Sequence, residues 1–267
     1  MGAEVPEPLS SRLIYELPER LTDVNHWHKH TPFAFFLVEL LRPGRIVELG
    51  TWKGDSYCCL CQAVATLGIE ARAKAVDLWG GDEQTGEYGP EVLAELRAFH
   101  DPRFGRFSEL VQTSFDEALA RVPDGSVDLL HVDGFHRYEA VKHDLESWLP
   151  KVSERGVVLM HDTSVRDGDF GVWRVWEEVS RDYPSFAFPH GNGLGVLAVG
   201  AQADPGLVAY LRRARDDGGV TERLFKALGE RVAAIGRERN LRASLGLPAS
   251  ASPSRESWQR RLRSKLP

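Results

Sequence analysis

The chain has 267 residues, 42% of them hydrophobic and 27% charged, which fits one globular α/β domain of roughly 200–250 residues with appendages. Its 33 Lys and Arg stand against 39 Asp and Glu, and a formal charge of −6 argues against nucleic acid as a partner. The most apolar early stretch, Phe33–Leu41, is too short to cross a bilayer and contains Glu39. The first residues, with Glu4 and Glu7, have neither the basic nor the apolar region of a secretion signal, so no membrane partner and a cytoplasmic location are expected.

Leu9–Leu21 has loosely helical spacing. Thr31-Pro32 gives an N-cap with proline at the first helical position, opening a helix over Phe33–Leu41 that Pro43-Gly44 stops. From there strand and helix patterns alternate. Arg45–Gly50 reads as a buried strand and is followed by a helix to Leu67. Arg72–Leu78 is a second strand, with a Gly- and acid-rich loop over Trp79–Gly89 and a helix over Pro90–His100. Glu109–Thr113 is a third strand, Phe115–Arg121 a short helix, and Ser126–Asp133 a fourth strand. Tyr138–Val152 is helical, Gly156–Asp162 is a fifth strand, and Val172–Tyr183 is a Trp-rich helix. Ser185–Pro189 and Leu194–Val199 are close enough to pair as a hairpin turning at His190–Gly193. Beyond Gly200, Asp204–Ala214 and Val220–Leu245 have helical spacing, with Leu224, Leu228, Val232 and Ile235 on one stripe. Ala249–Ser254 reads as a linker before a basic tail containing Arg255, Arg260, Arg261, Arg263 and Lys265.

Repeated βα units predict a parallel, doubly wound sheet covered by helices on both faces. The expected organisation is a helical cap at 1–42, a main α/β domain at 43–200 and a helical extension at 201–267.

The sharpest local signal is Ile46-Val47-Glu48-Leu49-Gly50-Thr51-Trp52-Lys53-Gly54. An apolar strand ends in an acid, and two glycines bracket the turn into a helix. Glycine permits positive φ and a close approach of the backbone to a ligand. The spacing is Glu-x-Gly-x-x-x-Gly rather than the Gly-x-Gly-x-x-Gly of pyrophosphate sites, and an acid there suits a cationic ligand. One βα unit later Asp77 ends a strand where an acid can accept both hydroxyls of a ribose, or merely cap a turn. Asp133 then closes the strand Val127–Asp133, and His161-Asp162 close the next. Asp133, His136, His161 and Asp162 are therefore expected to converge, as a divalent-cation site or as general bases.

These segments, taken in order, resemble the class I S-adenosylmethionine-dependent methyltransferases. The likeness is greatest to the branch that includes metal-dependent sugar O-methyltransferases. Glu48-Leu49-Gly50-Thr51-Trp52-Lys53-Gly54 resembles the first motif of that family and Asp77 its ribose acid. Asp77–Asp82, continuing to Gly86–Gly89, resembles a lid segment. Asp133-Gly134-Phe135-His136-Arg137-Tyr138 with His161-Asp162-Thr163 resembles its Asp-Gly-x-His-x-Tyr and His-Asp pair. The resemblance covers Thr31–Gly200 and implies a Rossmann-like, seven-stranded sheet ending in an antiparallel hairpin. It implies S-adenosyl-L-methionine bound by Glu48, Gly50, Thr51, Gly54, Asp77, Ser114 and Asp133. It also implies a metal, Mg²⁺ or Mn²⁺, on Asp133, His161 and Asp162. Since one of those three is an imidazole, Mn²⁺ suits the set better than Mg²⁺. Asp133, His136 and His161 are the catalytic candidates, and the acceptor is a small molecule or glycan, a sugar hydroxyl first. Related enzymes often associate, so a homo-oligomer is an open expectation.

Two other classes compete. A nicotinamide-dependent oxidoreductase shares the fold and ribose acid, but lacks support from the glycine spacing. A catalytically silent domain serving a glycosyltransferase partner would not need Asp133, His136 and Asp162 together. His26, His28 and His30, with Trp27, read as a polar, aromatic entrance loop. Cys58, Cys59 and Cys61 read as small core residues, and Trp173 and Trp176 as packing on a helix.

Overall fold

A computed structural model describes residues 5–82 and 86–248. Nine strands are present among them: β1 (Arg45–Leu49), β2 (Arg72–Asp77), β3 (Gly81–Asp82), β4 (Gly86–Glu87), β5 (Ser108–Gln112), β6 (Val127–Val132), β7 (Val152–His161), β8 (Ser185–Phe188) and β9 (Leu194–Ala198). The helices are α1 (Thr31–Leu41), α2 (Asp55–Leu67), α3 (Glu91–Phe104), α4 (Phe115–Leu119), α5 (Tyr138–Trp148), α6 (Val172–Val179), α7 (Pro205–Asp216) and α8 (Val220–Ser244). Seven strands make one sheet in the order β5-β2-β1-β6-β7-β9-β8, parallel from β5 to β7 and antiparallel through β9 and β8. This is the Rossmann-like sheet with a terminal hairpin that the sequence predicts. Strand order reverses between β1 and β6, which opens a crevice at their carboxyl ends.

Pleating sends alternate residues to opposite faces, and each face has its own core. Ile46, Leu129, Val157 and Leu159 pack with α1, α2 and α3 on one face. Val47, Leu49, Leu130, Val158 and Met160 pack on the other with Val141, Leu145 and Trp148 of α5 and Val172 and Val175 of α6. The three cysteines lie buried and unpaired by disulfides on α2, as small core residues should.

Several boundaries differ from the sequence reading. Leu9–Leu21 is not a helix but two 3-10 turns, Pro8–Ser10 and Leu13–Tyr15. Pro8 and Pro18 limit propagation there, and Ser11 spends its hydroxyl on Glu39 of α1. Thr31 is not an N-cap: a 3-10 helix over Trp27–His30 runs straight into α1, and Thr31 is buried at its first turn. Within the histidine segment Trp27, His28 and His30 are buried, while His26 and Trp27 line the cavity at the strand ends. Pro102 does not stop α3, which ends two residues later at Phe104. Pro150 does stop α5, a 3-10 turn follows at Leu149–Lys151, and β7 begins at Val152 through a register shift opposite β6. α6 ends at Val179, where Ser185 covers the terminal carbonyl of Ser180.

The fully buried stripe of α8 is Thr221, Phe225, Gly229, Val232 and Gly236; it shares Val232 with the expected stripe, whose Leu228 packs half-buried beside it, because glycines set the closest contact. A Cβ on Gly229 would lie 2.1 Å from the carbonyl oxygen of Lys29, and one on Gly236 2.9 Å from Nδ1 of His28. Arg231 and Asn240 of α8 also donate to the carbonyls of Tyr15 and Thr22. The N-terminal segment is thus held between α8 and the sheet. The expected linker Ala249–Ser254 and the basic tail fall outside the described residues, as do 83–85 of the expected lid segment.

Candidate active site

A cavity of ≈ 670 Å³ opens along the carboxyl ends of β1, β2, β6 and β7. The turn after β1 forms its middle. Gly50 adopts φ +82°, and a Cβ there would sit 2.0 Å from the backbone oxygen of Asp133. Glycine is required because the tip of β6 crosses the turn, with the Asp133 N–H donating to the Leu49 carbonyl at 2.8 Å. Gly54, also at positive φ, begins α2 against Leu96. Gly50, Thr51 and Gly54 all line the cavity.

Asp77 ends β2 at one side. Its Oδ2 accepts the backbone N–H groups of Thr51 and Trp52 at 2.7 and 2.8 Å, and its Oδ1 accepts that of Trp79 at 2.7 Å. Both tryptophans are held at positive φ, +44° and +50°, so Asp77 secures two strained corners as well as facing the cavity. The indole of Trp79 donates to the Trp52 carbonyl, and Tyr88 stacks on Trp52. Next to them β3 and β4 form a two-residue antiparallel ladder. Ser114, on the same side, is the N-cap of α4 in a capping box with Glu117, and it too lines the cavity.

At the other side Asp133, His136, His161 and Asp162 converge as expected. Nε2 of His136 lies 2.8 Å from Oδ2 of Asp162 and 3.7 Å from Oδ1 of Asp133. Nδ1 of His161 lies 3.2 Å from Asp133 and 3.3 Å from Asp162, while its Nε2 faces the carbonyl oxygen of Gly191 at 3.1 Å. A carbonyl and two carboxylates only accept, so both ring nitrogens of His161 carry protons and the ring is a cation. Burial opposes that charge, but the two carboxylates raise the imidazole well above its ordinary range. Burial likewise opposes the charge on His136, and hydrogen bonds to Asp133 and Asp162 lift it to about 9. The two carboxylates are pulled down, against burial, by the same imidazoles.

His136 and His161 are both protonated at neutral pH, so neither is set to accept a proton in this state. Donor atoms of Asp133, His136 and Asp162 lie within 4.8 Å of one another, and Nδ1 of His161 lies 3.2 and 3.3 Å from the same two carboxylates, so either imidazole is within reach of the pair. Oδ1 of Asp162 is buried with no hydrogen-bond partner, and two carboxylates with one imidazole suit a divalent ion such as Mn²⁺. Phe170 stacks on His136 at 4.8 Å, and the Gly171 N–H donates to the His136 carbonyl at 2.7 Å.

Glu48 is placed differently from the expectation. It shares a sheet face with Ile46, pairs in register with His131, and does not line the cavity. Nδ1 of His131 donates to its Oε2 at 2.8 Å, and burial pushes the carboxyl above its ordinary range despite that bond. Behind it His30 lies edge-on to His161 and stacked on His190, and donates to Gly191. Burial, then the charge on His161, holds His30 well below the ordinary imidazole range.

The sequence reading missed Trp52, Phe170, Asn192 and Asp144 as cavity residues. Most come from loops whose partners are distant in the chain. Asp144 had a local signal: it shares a helical stripe with Val141, Leu145 and Trp148, where an acid is out of place.

Residues 47–163 match the family model of a methyltransferase domain. The sheet order, the crevice and this match agree. Residues 47–163 form a class I methyltransferase domain. The nicotinamide alternative falls with that match. The chain is also 50% identical, over 198 residues and 74% of its length, to the uncharacterized protein y4gI of Sinorhizobium fredii, of which it spans 21%. Among solved structures, cofactor-bound Rv0187 from MTB is similar with TM-score 0.51 at 16% identity, over 72% of this chain and 88% of that one. The O-methyltransferase TomG from Streptomyces achromogenes, solved in complex with SAM, is similar with TM-score 0.50 at 16% identity, over 72% and 94%. At such identities these two likenesses establish the fold. No helix among the described residues is long and apolar enough to cross a membrane.

Proposed function

We propose that the domain transfers a methyl group from S-adenosyl-L-methionine to a hydroxyl, with a sugar of a natural product or glycan as the favoured acceptor. One observation carries the reading. A single cavity joins the acid at the tip of β2 to the Asp133–His136–Asp162 cluster, with the Gly50 turn between them. Asp77 accepts the ribose hydroxyls, Gly50, Thr51 and Gly54 surround the methionine end, and Ser114 borders the adenine. TomG, described as an O-methyltransferase, supports oxygen as the acceptor atom.

The sulfonium is already activated, so the protein must align the acceptor oxygen with the S–CH₃ bond at about 3 Å. The oxygen forms its bond to the methyl carbon as the carbon–sulfur pair returns to sulfur. The ionised Asp133 accepts the hydroxyl proton as that bond forms. His161 stays charged and keeps Asp133 and Asp162 oriented. Asp133, His136 and Asp162 would hold a divalent cation, and such an ion would lower the pKa of a bound hydroxyl.

The test is calorimetric titration with S-adenosylhomocysteine, with and without Mn²⁺ or Mg²⁺, followed by labelled methyl donor on panels of sugars, phenols and amines. Binding and transfer to sugars is the expected result. Transfer only to phenols or amines would overturn the acceptor class. Binding without any transfer would favour a silent domain, and absence of binding would overturn the cofactor.

A further inference from the structure

Asp144 sits on the apolar stripe of α5 and is only 8% exposed. It lines the cavity beside Ser114, Phe115 and Gly134. A Cβ placed on Gly134 would lie 3.5 Å from Oδ2 of Asp144 and 2.5 Å from the Phe115 ring, so the carboxylate reaches the cavity under the corner after β6. Among the described residues no hydrogen bond or ion pair reaches this carboxylate. Burial lifts its pKa to about 6. Asp116, the other acid at this end, is exposed and already paired with His143 at 2.8 Å. A buried acceptor without a donor, facing a cavity, is an acceptor left for a ligand.

We propose that Asp144 accepts a hydrogen bond from the exocyclic amine of the cofactor's adenine ring, making it the residue that selects the base. The inference rests on the cofactor reading above, which places the ribose at Asp77 and the adenine beside Ser114. Of the donors on that cofactor, the ribose hydroxyls meet Asp77, the methionine ammonium stays at the Gly50 turn, and the amine of the base is left for Asp144. A base with a carbonyl oxygen at that position would instead turn an acceptor toward a buried carboxylate, its nearest proton lying on the ring nitrogen beside it.

The test compares S-adenosylhomocysteine with S-inosylhomocysteine, which keeps the ribose and methionine ends and replaces the amine by oxygen. Wild-type protein should bind the adenine compound on the order of 10²-fold more tightly, because a site built to receive a donor rejects an analogue lacking it. In Asp144→Asn the amide can donate to the carbonyl oxygen, and the preference should collapse to within about threefold. Asp116→Asn should leave the wild-type preference in place. Asp144→Ser gives the same comparison should Asp144→Asn fail to fold. A wild type without preference, or a preference that survives loss of the carboxylate, overturns the proposal while leaving the cofactor reading intact. A wild type that binds neither compound overturns both.

Discussion

The indole N–H of Trp27 points at Nε2 of His131, 3.3 Å away, and so fixes which nitrogen of that ring carries the proton. With Nε2 accepting, the hydrogen lies on Nδ1 and is donated to Glu48. Trp27 comes from the segment before α1, His131 from β6 and Glu48 from β1. The bond therefore ties the cavity wall to the centre of the sheet. Trp27→Phe keeps the ring but leaves a buried imidazole nitrogen without its donor. The expected cost is about 1–3 kcal/mol in urea denaturation at pH 7. A stability equal to wild type would show that water replaces the indole.

The paired imidazoles set a pH window. His136 and His161 have pKa values above the ordinary 6.5, so their stabilisation is complete below that pH and is lost as pH rises through about 9. Asp133 and Asp162 are lowered, so their contribution is present above about pH 4 and disappears on acidification. Thermal stability in metal-free buffer should fall between pH 6.5 and 9, and His136→Gln should flatten that fall. An unchanged slope in the variant would show that the pairing adds no stability.

Asp144 works in the opposite sense. Its carboxyl is raised to about 6 from an ordinary 3.8, so the folded chain binds this proton more tightly than the unfolded chain. Ionising it as pH rises through that interval costs about 3 kcal/mol of stability. Asp144→Asn should make the ligand-free protein more stable at pH 7, by about 1–3 kcal/mol in chemical denaturation. A less stable variant would mean that the carboxylate is held by partners of its own.

The contact between α8 and the Trp27–His30 turn has no room for a methyl group. Gly229→Ala should destabilise by about 2–3 kcal/mol, since backbone faces backbone there. Gly236→Ala meets the side chain of His28 at 2.9 Å and should cost less. Thermal melts of the two variants would check the order.

The strand tips were the readable part of this site. Asp77, Asp133 and Asp162 each end an apolar run, so the fold class and the converging acids follow from local pattern. Glu48 resisted because it stands two residues short of the turn, where its carboxylate is buried against His131 of the neighbouring strand. His30 and Trp27 resisted because their neighbours lie about a hundred residues or more away, at His131, His161 and Gly191. Both imidazoles stand beside the same two carboxylates, and the Gly191 carbonyl that occupies the other nitrogen of His161 comes from a loop 30 residues further on, which no spacing encodes.

The clamp of α8 over the N-terminal segment also orders events during synthesis. A ribosome releases β1 through β9 before it releases residues 220–244, so the nascent chain carries a finished sheet beside an unbraced Trp27 wall. The Trp27 side of the cavity is therefore the last to be braced, when translation supplies the helix that presses against the earliest residues.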